Sequence, residues 1–203
     1  MSEDFFQEKR PHRGFTYEEY IGLMEDEARA AEQAETNGKP LGRLQYMKLN
    51  LQRTKRIGKV YTPSDSIRTI VEATPGPRLW MVLTEPWCGD SAQCLPYIAK
   101  IARCGGNIDL RVLRRDENLD IMDQYLTNGT RSVPLLVAFE MDGTELFRWG
   151  PRPQPAAELF LTHKDAGHEK ERILKELHRW YAKDRGCTIE EEIKSLLNGN
   201  SST

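Results

Sequence analysis

One cysteine, Cys88, lies between an apolar run and the start of a predicted helix, in the stretch TEPWCGDSAQCLP at 84–96. A thiol in that place meets unpaired N–H groups of the first helical turn and the positive end of the helix dipole, and both favour the reactive thiolate. Asp90 opposes them, because its negative charge raises the pKa of a neighbouring thiol. Gly89 lets the backbone approach the sulfur closely. The residue types predict a nucleophilic thiol at Cys88 and leave its acidity open.

The other three cysteines do not complete a recognisable site. Cys94 follows Cys88 by six residues on the same predicted helix, which places the two Cα atoms roughly 9 Å apart, whereas a disulfide tolerates about 7 Å. We interpret Cys94 as a small buried or half-buried thiol and not as a resolving partner. Cys104 and Cys187 lack the His or Cys spacing of a metal site, and the four histidines are scattered. No metal and no cofactor are predicted.

Val133 and Pro134 supply the other half of the predicted site. A proline at the start of a strand marks an edge, a bulge or a cis bond, and the ordinary interpretation is a strand start. The functional interpretation is that a cis bond exposes the backbone of Val133, which then pairs with an extended substrate beside the sulfur. The order of strand and helix predicts that this loop and Cys88 are close together.

Hydrophobic periodicity and turn residues predict the elements that position these residues. In chain order they are helices at 15–35 and 41–60, a short helix after Pro63, a strand at 78–85, a helix at 88–103, a strand at 107–116, a helix at 117–129, a hairpin around MDGT at 141–144, and helices at 168–184 and about 188–197. Thr16, Ser64 and Asp116 are the expected N-caps. This order predicts a mixed sheet with parallel crossovers, additional antiparallel strands and helices on both faces. The tail at 198–203 is expected to be disordered.

Length and composition bound the class of protein. The 203 residues are long for one domain and short for two. We expect an N-terminal helical extension at 1–62, a domain at 63–185, and a C-terminal helix with a tail at 186–203. A formal net charge of −2 favours neither nucleic acid nor a membrane as a partner, so we interpret the basic run of the second helix as a solvated face. The sequence predicts no oligomeric state.

The expected location is the cytoplasm. The N-terminal stretch MSEDFFQEKRPHRG has no apolar core typical of a secretory signal. No stretch approaches the roughly 20 apolar residues of a membrane span. Four cysteines in such a chain fit a reducing compartment, in which the thiols stay free.

Two stretches carry a family resemblance. LWMVLTEPWCGDS at 79–91 resembles the strand and the Trp-Cys-Gly-Pro-Cys helix start of the thioredoxin family, and GTRSVPLLVAFEMDGTELFRWG at 129–150 is similar to its cis-proline loop, hairpin and closing glycine. The resemblance covers about 65–185. It implies an α/β thioredoxin-like fold, a mixed central sheet flanked by helices, with an N-terminal helical extension and a C-terminal helix. LNLQRTKRIGKV, RRDENLDIMDQYLTNG and WGPRP further resemble a bacterial thioredoxin-like group with Trp-Cys-Gly-Asp-Ser at this place.

The resemblance also implies roles residue by residue. Cys88 matches the attacking thiol of the family, Trp87 the aromatic residue before it, and Pro134 the cis-proline. Ser91 falls where the resolving cysteine belongs, so a mixed disulfide at Cys88 would have no neighbouring thiolate to release it. The expected catalytic residues are Cys88, Asp90 and Ser91, and the expected substrate-binding residues are Trp87, Gly89, Val133 and Pro134.

Two functions of different classes remain open. The first is a monothiol thiol-disulfide oxidoreductase, in which Cys88 forms mixed disulfides with a protein or a low-molecular-weight thiol. The second is a non-catalytic module, in which Trp87, Pro134 and the helix start form a groove for a peptide or protein partner. CGDS and SVP are also similar to the Cys-Gly-Phe-Ser and Thr-Val-Pro of monothiol glutaredoxins, which would imply an iron–sulfur or glutathione protein.

Three other features concern the surroundings of the predicted site. The charged residues after the second strand either reach the Cys88 groove or serve as caps and ion pairs; they are Arg114, Arg115, Asp116 and Asn118. WGPRP, which contains Arg152, is interpreted as a rigid exit from the last strand. The N-terminal helices could cover the sheet, extend the groove or form a dimer contact, and the sequence does not choose among these.

Overall fold

The computed structural model describes residues 4–37 and 46–199. Its helices are α1 (Tyr17–Thr36), α2 (Met47–Val60), α3 (Asp65–Glu72), α4 (Gly89–Ala102), α5 (Leu119–Met122), α6 (Gln154–Asp165), α7 (Lys170–Asp184) and α8 (Cys187–Gly199). Its strands are β1 (Arg78–Thr84), β2 (Ile108–Arg114), β3 (Leu135–Glu140) and β4 (Glu145–Trp149). Within these residues, none of the helices combines the length and the apolar character that a membrane span requires.

The four strands form one mixed sheet in the order β2-β1-β3-β4. β1 pairs in parallel with β2 and antiparallel with β3, while β3 and β4 form an antiparallel hairpin. β1 is buried along its whole length, as expected for a central strand covered on both faces. The mixed sheet with flanking helices predicted from the element order is confirmed.

Alternate side chains of β1 enter two apolar layers, because successive residues of a strand point to opposite faces. Trp80 and Val82 face the layer that several helices cover, and its buried members include Tyr20 of α1, Ile57 of α2, Ile67 of α3, Ile98 of α4 and Ile193 of α8. Leu79, Met81 and Leu83 face the second layer, which the N-terminal segment closes with Phe5 and Phe6. Both faces of the sheet are therefore covered by packed side chains, and the loops that follow its strands start from buried positions.

Two of the predicted N-caps are confirmed. The Thr16 hydroxyl accepts a hydrogen bond from the Glu19 N–H, and the Glu19 carboxylate accepts one from the Thr16 N–H, which completes a capping box at α1. The Ser64 hydroxyl accepts a hydrogen bond from the Ile67 N–H at 3.3 Å and caps α3.

The N-terminal helices pack on α4 and reach the loop before it. The Thr54 hydroxyl of α2 donates to the carbonyl oxygen of Ala92 at 3.5 Å. The buried Asn50 side chain donates to the carbonyl oxygen of Pro86 at 3.0 Å, two residues before Cys88. Of the uses left open for these helices, α2 thus extends the surface around the cysteine.

The helix predicted at 117–129 is wrong in length and in its cap. α5 ends at Met122, and its N-cap is Asn118 instead of Asp116. The Asp116 N–H instead donates to the Glu85 carboxylate at 2.8 Å. The chain reverses beyond α5, where Asn128 and Gly129 have φ of 48° and 73°. Two successive left-handed residues are incompatible with a continuing helix.

Two other differences concern the C-terminal part. No helix is predicted at 154–165, yet α6 forms there. Ala156 is its one buried residue, and a helix that buries so little has no strong apolar periodicity by which the sequence could predict it. The tail predicted as disordered begins at 198, but Asn198 and Gly199 belong to α8. Residues 200–203, and Leu44 on the predicted face of the second helix, lie outside the described residues.

Candidate functional site

Cys88 lies where the buried strand β1 passes through the loop at 85–87 into α4. It is the N-cap of α4: its backbone is extended, with φ −81° and ψ 118°, and its sulfur accepts a hydrogen bond from the Ser91 N–H at 3.5 Å. The strand end and the helix start therefore fix the position of this sulfur.

The Cys88 thiol is almost closed off from solvent. The residue is 8% exposed, and its Sγ donates a hydrogen bond to the carbonyl oxygen of Val133 at 3.2 Å. The Val133–Pro134 peptide bond is cis and leads into β3. Because the sulfur must carry a proton to donate, this contact stabilises the neutral thiol.

Burial, and secondly the charge of Asp90, raise the pKa of the Cys88 thiol from 9.0 to about 11. Hydrogen bonds from Ser91 and from the Asp90 backbone act in the opposite direction but do not compensate. The competition between helix start and carboxylate, which the sequence leaves open, is decided by desolvation in favour of the thiol. At neutral pH Cys88 is therefore held as the neutral thiol.

Asp90 is held by two partners from distant parts of the chain. Its carboxylate pairs with Arg152 at 2.6 Å and accepts a hydrogen bond from the Tyr181 hydroxyl at 2.9 Å. The two charged side chains are 12% and 19% exposed. Arg152, interpreted from the sequence as part of a rigid exit, thus fixes the first turn of α4. The same contacts hold a negative charge near the sulfur.

Neither Ser91 nor Cys94 provides a second thiol for Cys88. Ser91 is buried, and its hydroxyl occupies the place of the resolving cysteine in the family pattern. Cys94 is fully buried, and its Sγ donates to the Tyr181 hydroxyl at 3.7 Å. Burial raises the pKa of Cys94 as well. Cys94 therefore behaves as a core thiol next to α7.

Trp87 is half-buried: it packs against the N-terminal helices and also lines the open side of the site. The guanidinium of Arg115 lies 4.9 Å above the centre of its ring. The ring also packs against a small apolar cluster of α1 and α2, formed by Ala28, Ala31 and Met47. Of the charged residues after β2, Arg115 thus reaches the site, whereas Arg114 pairs with Glu27 and Glu85.

A groove of about 460 Å³ opens beside Cys88. The predicted residues that line it are Trp87, Cys88, Gly89, Asp90 and Val133. Ser91 and Pro134 are not part of its lining. Further walls come from α2 and α7, through Asn50, Arg53, Lys170, Leu174 and His178.

The α2 and α7 residues were missed by the sequence reasoning. They are far from Cys88 in the chain, and the basic pattern of α2 by itself predicts only a solvated face. Gly89 has a different use from the one expected: a Cβ there would lie 3.6 Å from His178 Cε1 and 3.9 Å from Arg53 Nη1, which are ordinary contact distances. Glycine at this position therefore keeps the groove open and does not relieve a clash.

Metal binding finds no support in the described part of the chain, where no group of three His, Cys, Asp or Glu side chains could hold a metal ion.

A mixed sheet, a cysteine at the start of α4 and a cis-proline loop beside its sulfur define a protein with a thioredoxin-like fold. A family model described as thioredoxin matches residues 42–171. The chain belongs to this thioredoxin family. Among curated proteins, none matches the chain.

Two solved structures share the fold. One is a protein of unknown function, PA1234, from Pseudomonas aeruginosa, with a TM-score of 0.57 and 16% identity over 93% of this chain and 95% of that one. The other is an HIV epitope scaffold, with a TM-score of 0.55 and 16% identity over 93% of this chain and 94% of the scaffold. At this identity the likeness concerns the fold alone.

Proposed function

We propose that this chain is a thioredoxin-fold binding protein whose groove beside Cys88 holds an extended peptide segment of a partner. The observation that carries this proposal is the state of the Cys88 thiol, which is buried and donates a hydrogen bond to the carbonyl oxygen of Val133. A thiol with a pKa of about 11 is a poor nucleophile at neutral pH. The groove therefore acts through its shape and its polar groups, and not through the thiolate.

Val133 offers a backbone group that an extended peptide can use. Its N–H forms no hydrogen bond within the described part of the chain. Its carbonyl oxygen accepts from Cys88 and keeps a second lone pair. Extended peptides are recognised through main-chain hydrogen bonds of this kind, and a groove of about 460 Å³ lies within the size range of binding sites.

A monothiol oxidoreductase is the second candidate function, favoured by the Ser91 N–H that points at the sulfur. In that reaction the Cys88 thiolate attacks a substrate disulfide, forms a mixed disulfide and releases one substrate thiolate. A second, external thiolate then attacks the mixed disulfide, becomes oxidised and frees Cys88. Both steps require Cys88 to lose its proton and become exposed, which its burial and its pKa oppose.

Selection from a random heptapeptide library displayed on phage tests the binding function. We expect the selected peptides to bind wild type and Cys88→Ser with affinities within about twofold, because the thiol is not used. Gly89→Leu should lose them, since its side chain enters the groove toward His178 and Arg53. Gly22→Leu, at a position on α1 with open space around it, is the matched control and should retain them.

Reduction of insulin by glutathione tests the second candidate. We expect the rate of insulin reduction with wild type to be no higher than with Cys88→Ser. Ser91→Cys, which places a second thiol three residues after Cys88, serves as the positive control. The binding proposal is wrong if no peptide depends on the groove, or if wild type reduces insulin clearly faster than Cys88→Ser.

A further inference from the structure

The groove beside Cys88 has an excess of positive charge. Five cationic side chains and one carboxylate line it: Arg53, Arg115, Arg131, Arg152, Lys170 and Asp90. The whole chain, in contrast, has a formal net charge of −2. The positive character is thus a local property of this groove.

Three of these cations are already compensated. Each arginine lies within ion-pairing distance of a carboxylate: Arg152 with Asp90 at 2.6 Å, Arg131 with Asp123 at 2.6 Å, and Arg115 with Asp116 at 2.5 Å. An ion-paired guanidinium contributes little net field to a ligand. The excess therefore comes from Arg53 and Lys170, and Lys170 is an exposed side chain.

Arg53 is partly buried, and the part of the chain that the structure describes gives it no counter-charge. Its Nη1 donates to the side-chain oxygen of Asn50 at 3.2 Å, and among the described residues no carboxylate lies within ion-pairing distance of it. Burial, together with the nearby charge of Arg56, lowers the pKa of Arg53. Removing a charge from water without pairing it is costly, and a ligand anion would offset that cost.

Arg53 also faces the start of α4. Its Nη1 and the Cε1 of His178 are the atoms nearest to the open side of Gly89, the first residue of that helix. The Arg53 guanidinium and the start of α4 therefore lie side by side, and a negative group placed between them would be stabilised by both.

We propose that the peptide held in this groove is acidic, and that Arg53 receives one of its carboxylates next to Gly89. This inference rests on the proposed binding function and names the class of ligand. The planar guanidinium matches a carboxylate through two parallel hydrogen bonds.

The test uses the peptides selected on the wild-type protein. We expect Asp and Glu to be enriched in them, and a synthetic peptide with its conserved Glu changed to Gln to bind wild type roughly tenfold more weakly. Arg53→Gln should lose the preference for Glu over Gln. Arg56→Gln, one turn further along α2 and outside the groove lining, is the matched control and should retain it.

A free acidic peptide could supply the same chemistry as a protein segment, and glutathione serves as the probe for that source. If wild type binds glutathione and Arg53→Gln does not, the carboxylate site is supported and its ligand is a small free peptide. If wild type binds the selected heptapeptides more tightly than glutathione, the ligand is a segment of a protein. Equal binding of the Glu and Gln peptides to wild type overturns the inference and leaves the binding function intact. Absence of any groove-dependent peptide overturns the binding function itself.

Discussion

Asp90→Asn is expected to lower the free energy of unfolding by about 2 to 4 kcal/mol, because it leaves the mostly buried Arg152 guanidinium without its counter-charge. The substitution keeps the shape of the side chain and an oxygen for the Tyr181 hydroxyl, so the loss reflects charge and not packing. Urea denaturation followed by circular dichroism measures it.

The same variant should make Cys88 more acidic. The charge of Asp90 is the second cause of the raised pKa of Cys88, after burial, so its removal lowers that pKa and speeds alkylation at pH 8. Asp109→Asn is the control, since it weakens a half-exposed ion pair with Arg111 and should cost less than about 1 kcal/mol. Equal losses in free energy of unfolding in the two variants would contradict a buried ion pair between Asp90 and Arg152.

Gly150→Ala is expected to destabilise the protein by about 2 to 4 kcal/mol. Gly150 directly follows β4 and has φ of +126°. A Cβ there would lie 2.3 Å from the carbonyl oxygen of Pro134 and 3.3 Å from the Cα of Leu135. Both contacts are with backbone atoms, so the loop that carries Val133 must shift. Groove-dependent peptide binding should weaken together with stability.

The expected loss in Gly150→Ala has two causes, the strain of a positive φ and the close contacts of the added Cβ, and Gly76→Ala measures the first of them alone. Gly76 also has a positive φ, of +69°, but nothing lies within 4 Å of the added Cβ. Alanine there should cost only about 1 kcal/mol, from backbone strain. If urea denaturation gives the same loss in free energy of unfolding for Gly150→Ala and Gly76→Ala, the expected clash of a Cβ at residue 150 with the Pro134 backbone is wrong.

Local patterns predicted the framework of the site. The apolar run before Cys88, the helical spacing after it and the Asp-Gly turn of the hairpin are short-range signals, and they are strong enough to predict the sheet and α4. The order of these elements also predicted that the loop at Val133 lies near Cys88, and the sulfur and the Val133 oxygen are 3.2 Å apart.

The properties of the site depend on contacts that no local pattern contains. Arg53 and His178 approach Gly89 from helices on either side of it in the chain, and Arg152 reaches Asp90 from beyond the hairpin. The acidity of Cys88 depends on how deeply Val133 and its neighbours bury the sulfur. Such burial is a result of packing, whereas the sequence showed only the opposing effects of helix dipole and carboxylate.

The most direct test of this account is the pKa of Cys88, measured as the rate of iodoacetamide alkylation between pH 6 and 12 on the intact protein. Mass spectrometry of the Cys88 peptide separates it from the other three cysteines, and Cys88→Ser confirms the assignment. The account predicts very slow modification at neutral pH and a midpoint near pH 11. A midpoint at or below that of a free thiol, about 8.5, would contradict it and favour the oxidoreductase.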